Sequence, residues 1–370
     1  MKEKKMNDSI QSSSMRKKQL SVLVVTAAYP EKGNRGGAFL EREVEGLRQE
    51  GIDVTVLHLK GKLKYITGAL KVFAASFSRK YDIIHGHYSF CGAVARCQFL
   101  KPVVISFWGT DLLTNPALPD TLSRKISRAM SPIIAKMVDW NTTPIPYMTT
   151  LIPGSRVRVV TQGIDFTTFY PIPQLEARKK LGLDLNLNHR YILFCSDPKR
   201  PVKGFPIAEA AVAQLRQEGM DVELLIVNNQ PQEKLLLYYN AGDVIVVPSY
   251  WEAGPYVVKE AMACNLSVIA TDVGDVREIT KKTFGCVIAE RNPEAFAAAI
   301  KQTLLSVRKT TGRQDIAHLT YRNFIEKVTS VYIDVLKRRK KITSIDDLAI
   351  TRLEDDSSNV DITVKHPTVS

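Results

Sequence analysis

At 370 residues, 45% of them hydrophobic and 24% charged, the chain has the composition of a soluble globular protein and is long enough for two α/β domains rather than one small core. It contains no run of about 18 uninterrupted apolar residues, which excludes a transmembrane helix read from hydropathy. The formal net charge is +13 and sits mainly in the first half, where residues 60–80 hold six basic groups and no acid.

In chain order, residues 1–19 are polar and lysine-rich, lack the apolar segment of a secretory signal, and read as a disordered leader. Leu20 to Ala28 reads as a buried strand, Gly36 to Glu50 as a helix stopped by Gly51, and Ile52 to Leu59 as a second strand. Lys62 to Ser78 has the spacing of a basic amphipathic helix, with Leu63, Tyr65, Ile66, Leu70, Val72, Phe73 and Phe77 set among lysines. That segment suits either an anionic membrane surface or an outer helix packing its apolar side inward. Strands are expected at Tyr81 to His87, Pro102 to Trp108, Met137 to Thr142 and Arg156 to Thr161. The Phe169-Tyr170-Pro171-Ile172-Pro173-Gln174 stretch breaks any periodic element and marks a boundary. The second half repeats the pattern. Its strands are Tyr191 to Cys195, Val222 to Val227, Asp243 to Val247, Ser267 to Thr271 and Gly285 to Ile288. Its helices are Ile207 to Glu218, Gln232 to Asn240, Tyr256 to Cys264, Pro293 to Val307 and Arg313 to Lys337. Such alternation means βαβ units and parallel sheets, giving two Rossmann-like domains that face each other across a cleft. The expected divisions are a leader at 1–19, a first domain at 20–170, a second domain at 171–312, a helix at 313–340 packing back on the first domain, and a disordered tail at 341–370. Five cysteines without a C-x-x-C pair read as small buried hydrophobes of a reducing cytosol, not as a disulfide framework or zinc site.

The most informative stretch is Val247 to Ala263. An apolar strand enters a Pro-Ser loop carrying Glu252, and Gly254-Pro255 open a helix that carries Glu260 eight residues later. Carboxylates accept hydrogen bonds from sugar and ribose hydroxyls, and a helix start faces negative charge. A nucleotide sugar has both features. Lys203 before Gly204, with Arg200 nearby, supplies positive charge for a leaving diphosphate. Gly36 and Gly37 after the first strand allow backbone N–H groups to approach a phosphate.

The run from Tyr238 to Ser249, then Glu252 and Glu260 followed by Ala261-Met262-Ala263, resembles family 4 of the retaining glycosyltransferases. The pieces Asp82 to His87, Gly109-Thr110-Asp111, Gln162-Gly163-Ile164-Asp165, Lys203-Gly204 and Val273 to Glu278 extend the similarity over most of residues 20–336. The resemblance implies the GT-B fold and retaining hexosyl transfer from a UDP- or GDP-sugar to a glycan or lipid-linked acceptor, in cell-surface polysaccharide biosynthesis. It assigns Glu252 and His87 to the catalytic set. Donor contacts are expected from Glu260, Lys203, Arg200, Gly254, Pro255, Tyr256, Val257, Gly36 and Gly37. It further implies a front-face mechanism without a protein nucleophile. Three departures stand out. Pro255 offers no N–H in the glutamate loop. Pro198 stands where the family has an arginine. Trp108 replaces a common histidine.

His85 and His87 share one face of a strand, but no third metal ligand is near in sequence. The chain has no D-x-D pair, so no metal cofactor is expected: helix ends and Lys203 would take that part. The expected location is cytoplasmic, with peripheral attachment through residues 60–80. Competing readings are a nucleotide-sugar epimerase of the same fold and a non-catalytic basic binding protein. Nucleic acid is disfavoured because the second domain is near neutral and no aromatic-interleaved basic patch appears.

Overall fold

A computed structural model describes residues 18–30, 37–116, 118–306 and 309–350. The elements follow as β1 (Ser21–Thr26), α1 (Ala38–Gln49), β2 (Asp53–His58), α2 (Lys64–Ser76), β3 (Ile83–His87), α3 (Ser89–Ala95), β4 (Val103–Ser106), α4 (Leu122–Met137), β5 (Trp140–Thr143), β6 (Val157–Val159) and α5 (Gln174–Leu181). Then come β7 (Arg190–Phe194), α6 (Phe205–Gln217), β8 (Val222–Ile226), α7 (Gln232–Ala241), β9 (Val244–Val247), α8 (Tyr256–Ala263), β10 (Ser267–Ala270), α9 (Val276–Thr280), β11 (Val287–Ile288), α10 (Pro293–Ser306), α11 (Gly312–Asp315) and α12 (Tyr321–Arg338).

Two parallel sheets result, ordered β2-β1-β3-β4-β5-β6 and β11-β10-β9-β7-β8. The strands of the first lie before the Pro171–Pro173 segment and those of the second after it. By packing, the chain forms two compact units. Among the described residues, one holds those up to His87, Cys91–Val104 and those from Thr329 on; the other holds Tyr88–Phe90 and those between Ile105 and Val328.

In the first unit every residue of β1 is buried, so its sequence is a continuous apolar run instead of an alternating one. The second sheet separates two apolar layers by the two-residue period of its strands. Leu193, Ile245, Val247 and Val268 pack with Tyr239 of α7 and Val258, Ala261 and Met262 of α8. Ile192, Phe194, Val244, Val246 and Ile269 turn the other way, toward Val212 and Leu215 of α6 and Phe296 and Ile300 of α10. The Pro171–Pro173 segment is fixed: Asn240 accepts from the Ile172 N–H at 2.8 Å and donates to the Tyr170 carbonyl at 3.0 Å.

Several expectations are corrected. The sequence pattern did not show α3, α4, α5 or α9. The helix expected over Arg313 to Lys337 is two helices, because residues 316–320 leave the helical path and Thr320 bridges to Ile164: the Ile164 N–H donates to the Leu319 carbonyl at 2.8 Å and Tyr321 N–H to the Ile164 carbonyl at 3.0 Å. Beyond that break, Tyr332 of α12 places its hydroxyl 2.7 Å from His85 Nδ1 of β3. The leader and tail are ordered nearer their ends than expected. Lys18 forms a parallel bridge with Leu348, and the Lys18 ammonium pairs with Asp82. A 3-10 turn at Ile345–Asp347 precedes that bridge. Residues 1–17 and 351–370, the rest of those two expectations, lie outside the described residues. The cysteines are free: Cys91 and Cys264 are buried and Cys97 is exposed. Burial pushes the Cys264 and Cys286 thiols up to about 12 and that of Cys195 higher still, which keeps them protonated.

Candidate active site

β9 delivers the chain to Pro248 and Ser249 at its carboxyl end, where ligands bind in parallel sheets. The Ser249 carbonyl accepts from Thr271 Oγ1 at 2.6 Å, which fixes the loop against the strand end beside it. A second loop, following β7, makes a 3-10 turn at Pro201–Lys203 and ends at Gly204 with φ +70°. A Cβ at Gly204 would lie 2.1 Å from the Pro248 carbonyl oxygen, so only glycine lets the two loops touch. The Tyr250 N–H donates to the Val202 carbonyl at 2.7 Å and completes the junction.

This junction brings together two residues that sequence reasoning singled out separately. The Lys203 ammonium forms an ion pair with Glu252 Oε1, with 16% and 15% of the two side chains exposed. Ser249 Oγ donates to the same carboxylate oxygen at 3.1 Å. Lys203 and Ser249 also line a small pocket with Cys195, Ser196, Val247 and Val257.

The helix α8 begins after Pro255, whose φ of −71° suits the position before a helix. Tyr256 and Val257 form its first turn, and Gly254 lies against Asp275, whose Oδ1 would be 3.3 Å from a Cβ there. Glu260, one turn on, is 9% exposed and accepts from the Tyr239 hydroxyl at 2.7 Å. The adjacent Lys259 is buried and sits 2.7 Å from Asp275 Oδ2, an ion contact without the angles of an aligned hydrogen bond. Tyr239, Ser249 and the Lys259–Asp275 pair are the site residues that sequence reasoning did not assign. Their signal was present, since all lie inside the quoted motifs.

Other expectations fare differently. Arg200 starts the 3-10 turn with its side chain exposed, and no described ion pair joins it to Glu252. Gly37 precedes α1 with φ +88°, and a Cβ on it would be 2.4 Å from the Ala28 carbonyl oxygen. Chain packing alone therefore requires that glycine. Gly36 lies outside the described residues. The Trp108–Asp111 segment is a tight turn in which Asp111 accepts from the N–H groups of Trp108 at 3.1 Å and Gly109 at 2.9 Å. Gly109 lies against the glutamate loop: a Cβ there would be 3.2 Å from both the Ala253 Cβ and the Trp251 ring.

The His87 side chain is 0% exposed, within a cluster with Glu43 and His85. The third potential ligand missing from the local sequence is Glu43 of α1, and the ligand atoms of the three residues lie within 4.8 Å of one another. Burial pushes Glu43 up to about 8, His85 down to about 3 and His87 well below its usual value, so all three are neutral near pH 7. A His–His–Glu set suits zinc chemically, but tetrahedral zinc with bonds of about 2.0–2.1 Å needs ligand atoms roughly 3.3 Å apart. His87 Nε2 and Glu43 Oε1 are 3.7 Å apart, Tyr332 holds His85 Nδ1, and neither Glu43 carboxylate oxygen has a hydrogen-bond partner among the described residues.

Comparison with known proteins decides the family. The description "Glycosyl transferases group 1" matches residues 208–314, which contain the entire glutamate loop and α8, and "Glycosyl transferase 4-like" matches residues 13–138. The chain is a group 1, family 4-like glycosyltransferase. This glycosyltransferase is 26% identical over 310 residues to a D-inositol 3-phosphate glycosyltransferase of Acidothermus cellulolyticus, covering 70% of this chain and 68% of that one. It is 24% identical over 351 residues to the putative teichuronic acid biosynthesis glycosyltransferase TuaC of Bacillus subtilis, covering 76% and 88%. Among solved structures, Anabaena Alr3699/HepE in complex with UDP and glucose aligns with a TM-score of 0.61 at 17% identity, over 85% of this chain and all of that one. The two parallel α/β sheets of the glycosyltransferase are thus those of the GT-B fold.

Proposed function

We propose that this glycosyltransferase moves a hexosyl group from a UDP- or GDP-sugar to a hydroxyl of a glycan or lipid-linked acceptor, with retention of configuration, in cell-surface polysaccharide assembly. The observation that carries this reading is the Lys203–Glu252 ion pair beside the β7–β9 pocket that Lys203 lines, followed eight residues on by Glu260, which the Tyr239 hydroxyl holds. Lys203 would receive the leaving diphosphate and Glu252 the hydroxyls of the donor sugar. Glu260 would clamp the ribose. The incoming diphosphate competes with Glu252 for the ammonium, which frees the carboxylate to face the sugar as positive charge develops on the reacting carbon. Lys203 and the start of α8 supply the electrostatic part, so the transfer would need no metal at the donor. The UDP held by HepE and the teichuronic acid role in the name of TuaC support the donor class and the polysaccharide setting.

Attachment to the inner face of the plasma membrane, from the cytoplasm, belongs to the same reading. No described helix is long and apolar enough to cross a membrane. On α2 and its flanks, however, Leu63, Ile66, Leu70, Phe73 and Phe77 are 49–66% exposed among lysines. The alternative, an apolar side packed inward, does not describe these five residues. A lipid surface explains them.

The test is a calorimetric panel of nucleotide sugars on the wild type and Glu252→Gln, followed by transfer assays on acceptors pooled from lipid-linked glycans. One UDP- or GDP-sugar should bind, and turnover should fall at least 100-fold in the variant with the melting profile retained. Turnover of donor without acceptor into an epimerised sugar would instead establish the epimerase reading. Absence of heat with every donor would overturn both.

A further inference from the structure

The helix α4 buries a mixed face and exposes an apolar one. Inward lie Ile134 and Ala135 with two serines: Ser131 Oγ donates to the Asp111 carbonyl at 2.7 Å and lies 2.5 Å from Ser89 Oγ, while Ser127 Oγ donates to Ser89 Oγ at 3.1 Å. Its outward face carries the large apolar side chains. Leu122 is 74% exposed, Ile126 41%, Met130 37%, Ile133 62% and Met137 53%. Steps of four, four, three and four residues keep these five within an arc of about 80° on a helix turning roughly 100° per residue. The stripe runs the length of the helix, about 24 Å for its 16 residues.

Ordinary surface helices do the reverse, and a run of exposed large apolar residues marks an interaction face. The charge pattern identifies the partner. Between Leu122 and Met137 stand Arg124, Lys125, Arg128 and Lys136, with no acid. Lys125 and Lys136 are exposed and fall along one border of the stripe by helical angle. A second copy of this chain would bring the same cations against them and be repelled. An anionic lipid surface offers the opposite: hydrocarbon for the stripe and phosphate for its lysine border.

We propose that α4 is a membrane-inserting helix that lies flat in an anionic lipid surface with Leu122, Ile126, Met130, Ile133 and Met137 in the acyl region. This rests on the peripheral-attachment reading and adds a second contact, which the sequence pattern around Pro132 concealed.

Vesicle flotation tests it on the full chain, using phosphatidylglycerol-containing and purely phosphatidylcholine vesicles. The probes are wild type, the α4 variant I126Q/I133Q and the α2 variant I66Q/F73Q, each checked for an unchanged thermal melt. Glutamine keeps helix propensity, and all four positions are exposed. The wild type should float with anionic vesicles only and be released by high salt, and I126Q/I133Q should lower partitioning at least tenfold. Normal flotation of I126Q/I133Q with loss in I66Q/F73Q overturns the role of α4 and leaves attachment through α2 standing. No flotation of wild type overturns both. Wild-type self-association abolished by I126Q/I133Q, without lipid binding, assigns the stripe to a second copy and also overturns the proposal.

Discussion

Tyr239 and Glu260 form a buried pair that ties α7 to α8: the phenol, 0% exposed, donates to Oε2 at 2.7 Å and holds the carboxylate in one orientation. Burial and the charge of Glu260 raise the Tyr239 pKa well above its usual value, so the phenol remains a donor throughout the working pH range. If Glu260 clamps ribose, Tyr239→Phe should raise the KM for the donor about tenfold, the equivalent of one buried hydrogen bond to a charged group, while kcat changes little. Steady-state kinetics with the identified donor checks this. An unchanged KM would remove Glu260 from the donor contacts.

Lys203→Met should act on the other parameter. If the ammonium receives the departing diphosphate, its loss should lower kcat by about 100-fold or more. The same substitution strips Glu252 of its counter-ion in a site only 15% exposed, so stability should fall by about 1–3 kcal/mol. K203M/E252Q should recover part of that stability without recovering turnover. Chemical denaturation of both singles and the double variant measures the coupling.

The strand–loop–helix around Glu252 was legible in the sequence because its signals are local: an apolar run, Pro-Ser, then Gly-Pro before a helix. The parallel sheets were legible for a similar reason, since strands buried on both faces read as unbroken apolar runs. What stayed hidden depends on contacts between distant segments. Glu43 reaches the His85–His87 pair from α1 across some forty residues of sequence. The break before α12 exists because Thr320 bridges to Ile164. The helix α4 escaped because Pro132 lies inside it, which read as a break, although its apolar residues recur at helical spacing.

Gly204→Ala should show how far the two loops depend on their close approach. The positive φ alone costs an L-residue about 1 kcal/mol, and a Cβ 2.1 Å from the Pro248 oxygen forces backbone apart. A loss of about 2–4 kcal/mol is expected, with transfer falling further because Lys203 is displaced from Glu252. Gly182→Ala is the control. Gly182 has φ +67°, but nothing lies within 4 Å of its built Cβ, so about 1 kcal/mol should go and activity should hold. Equal losses at the two positions would mean that the loop junction relaxes freely.

Asp111 gives the turn beside Gly109 a pH signature. Burial raises its pKa from 3.8 to about 6 against the opposing effect of backbone N–H donors. Between those values the unfolded chain sheds the proton and the folded chain keeps it. The contribution of this group is therefore complete below about pH 4 and is lost as pH rises toward 6. Asp111→Asn has no such proton. Relative to Asp111→Asn, the wild type should lose about 1.4 kcal/mol per pH unit over that interval, about 3 kcal/mol in all, and no more above it. Urea denaturation at pH 4, 5, 6 and 7 provides the comparison. Parallel stability curves across the four values would show that Asp111 is ionised in the folded protein, with its charge carried by the Trp108 and Gly109 N–H groups.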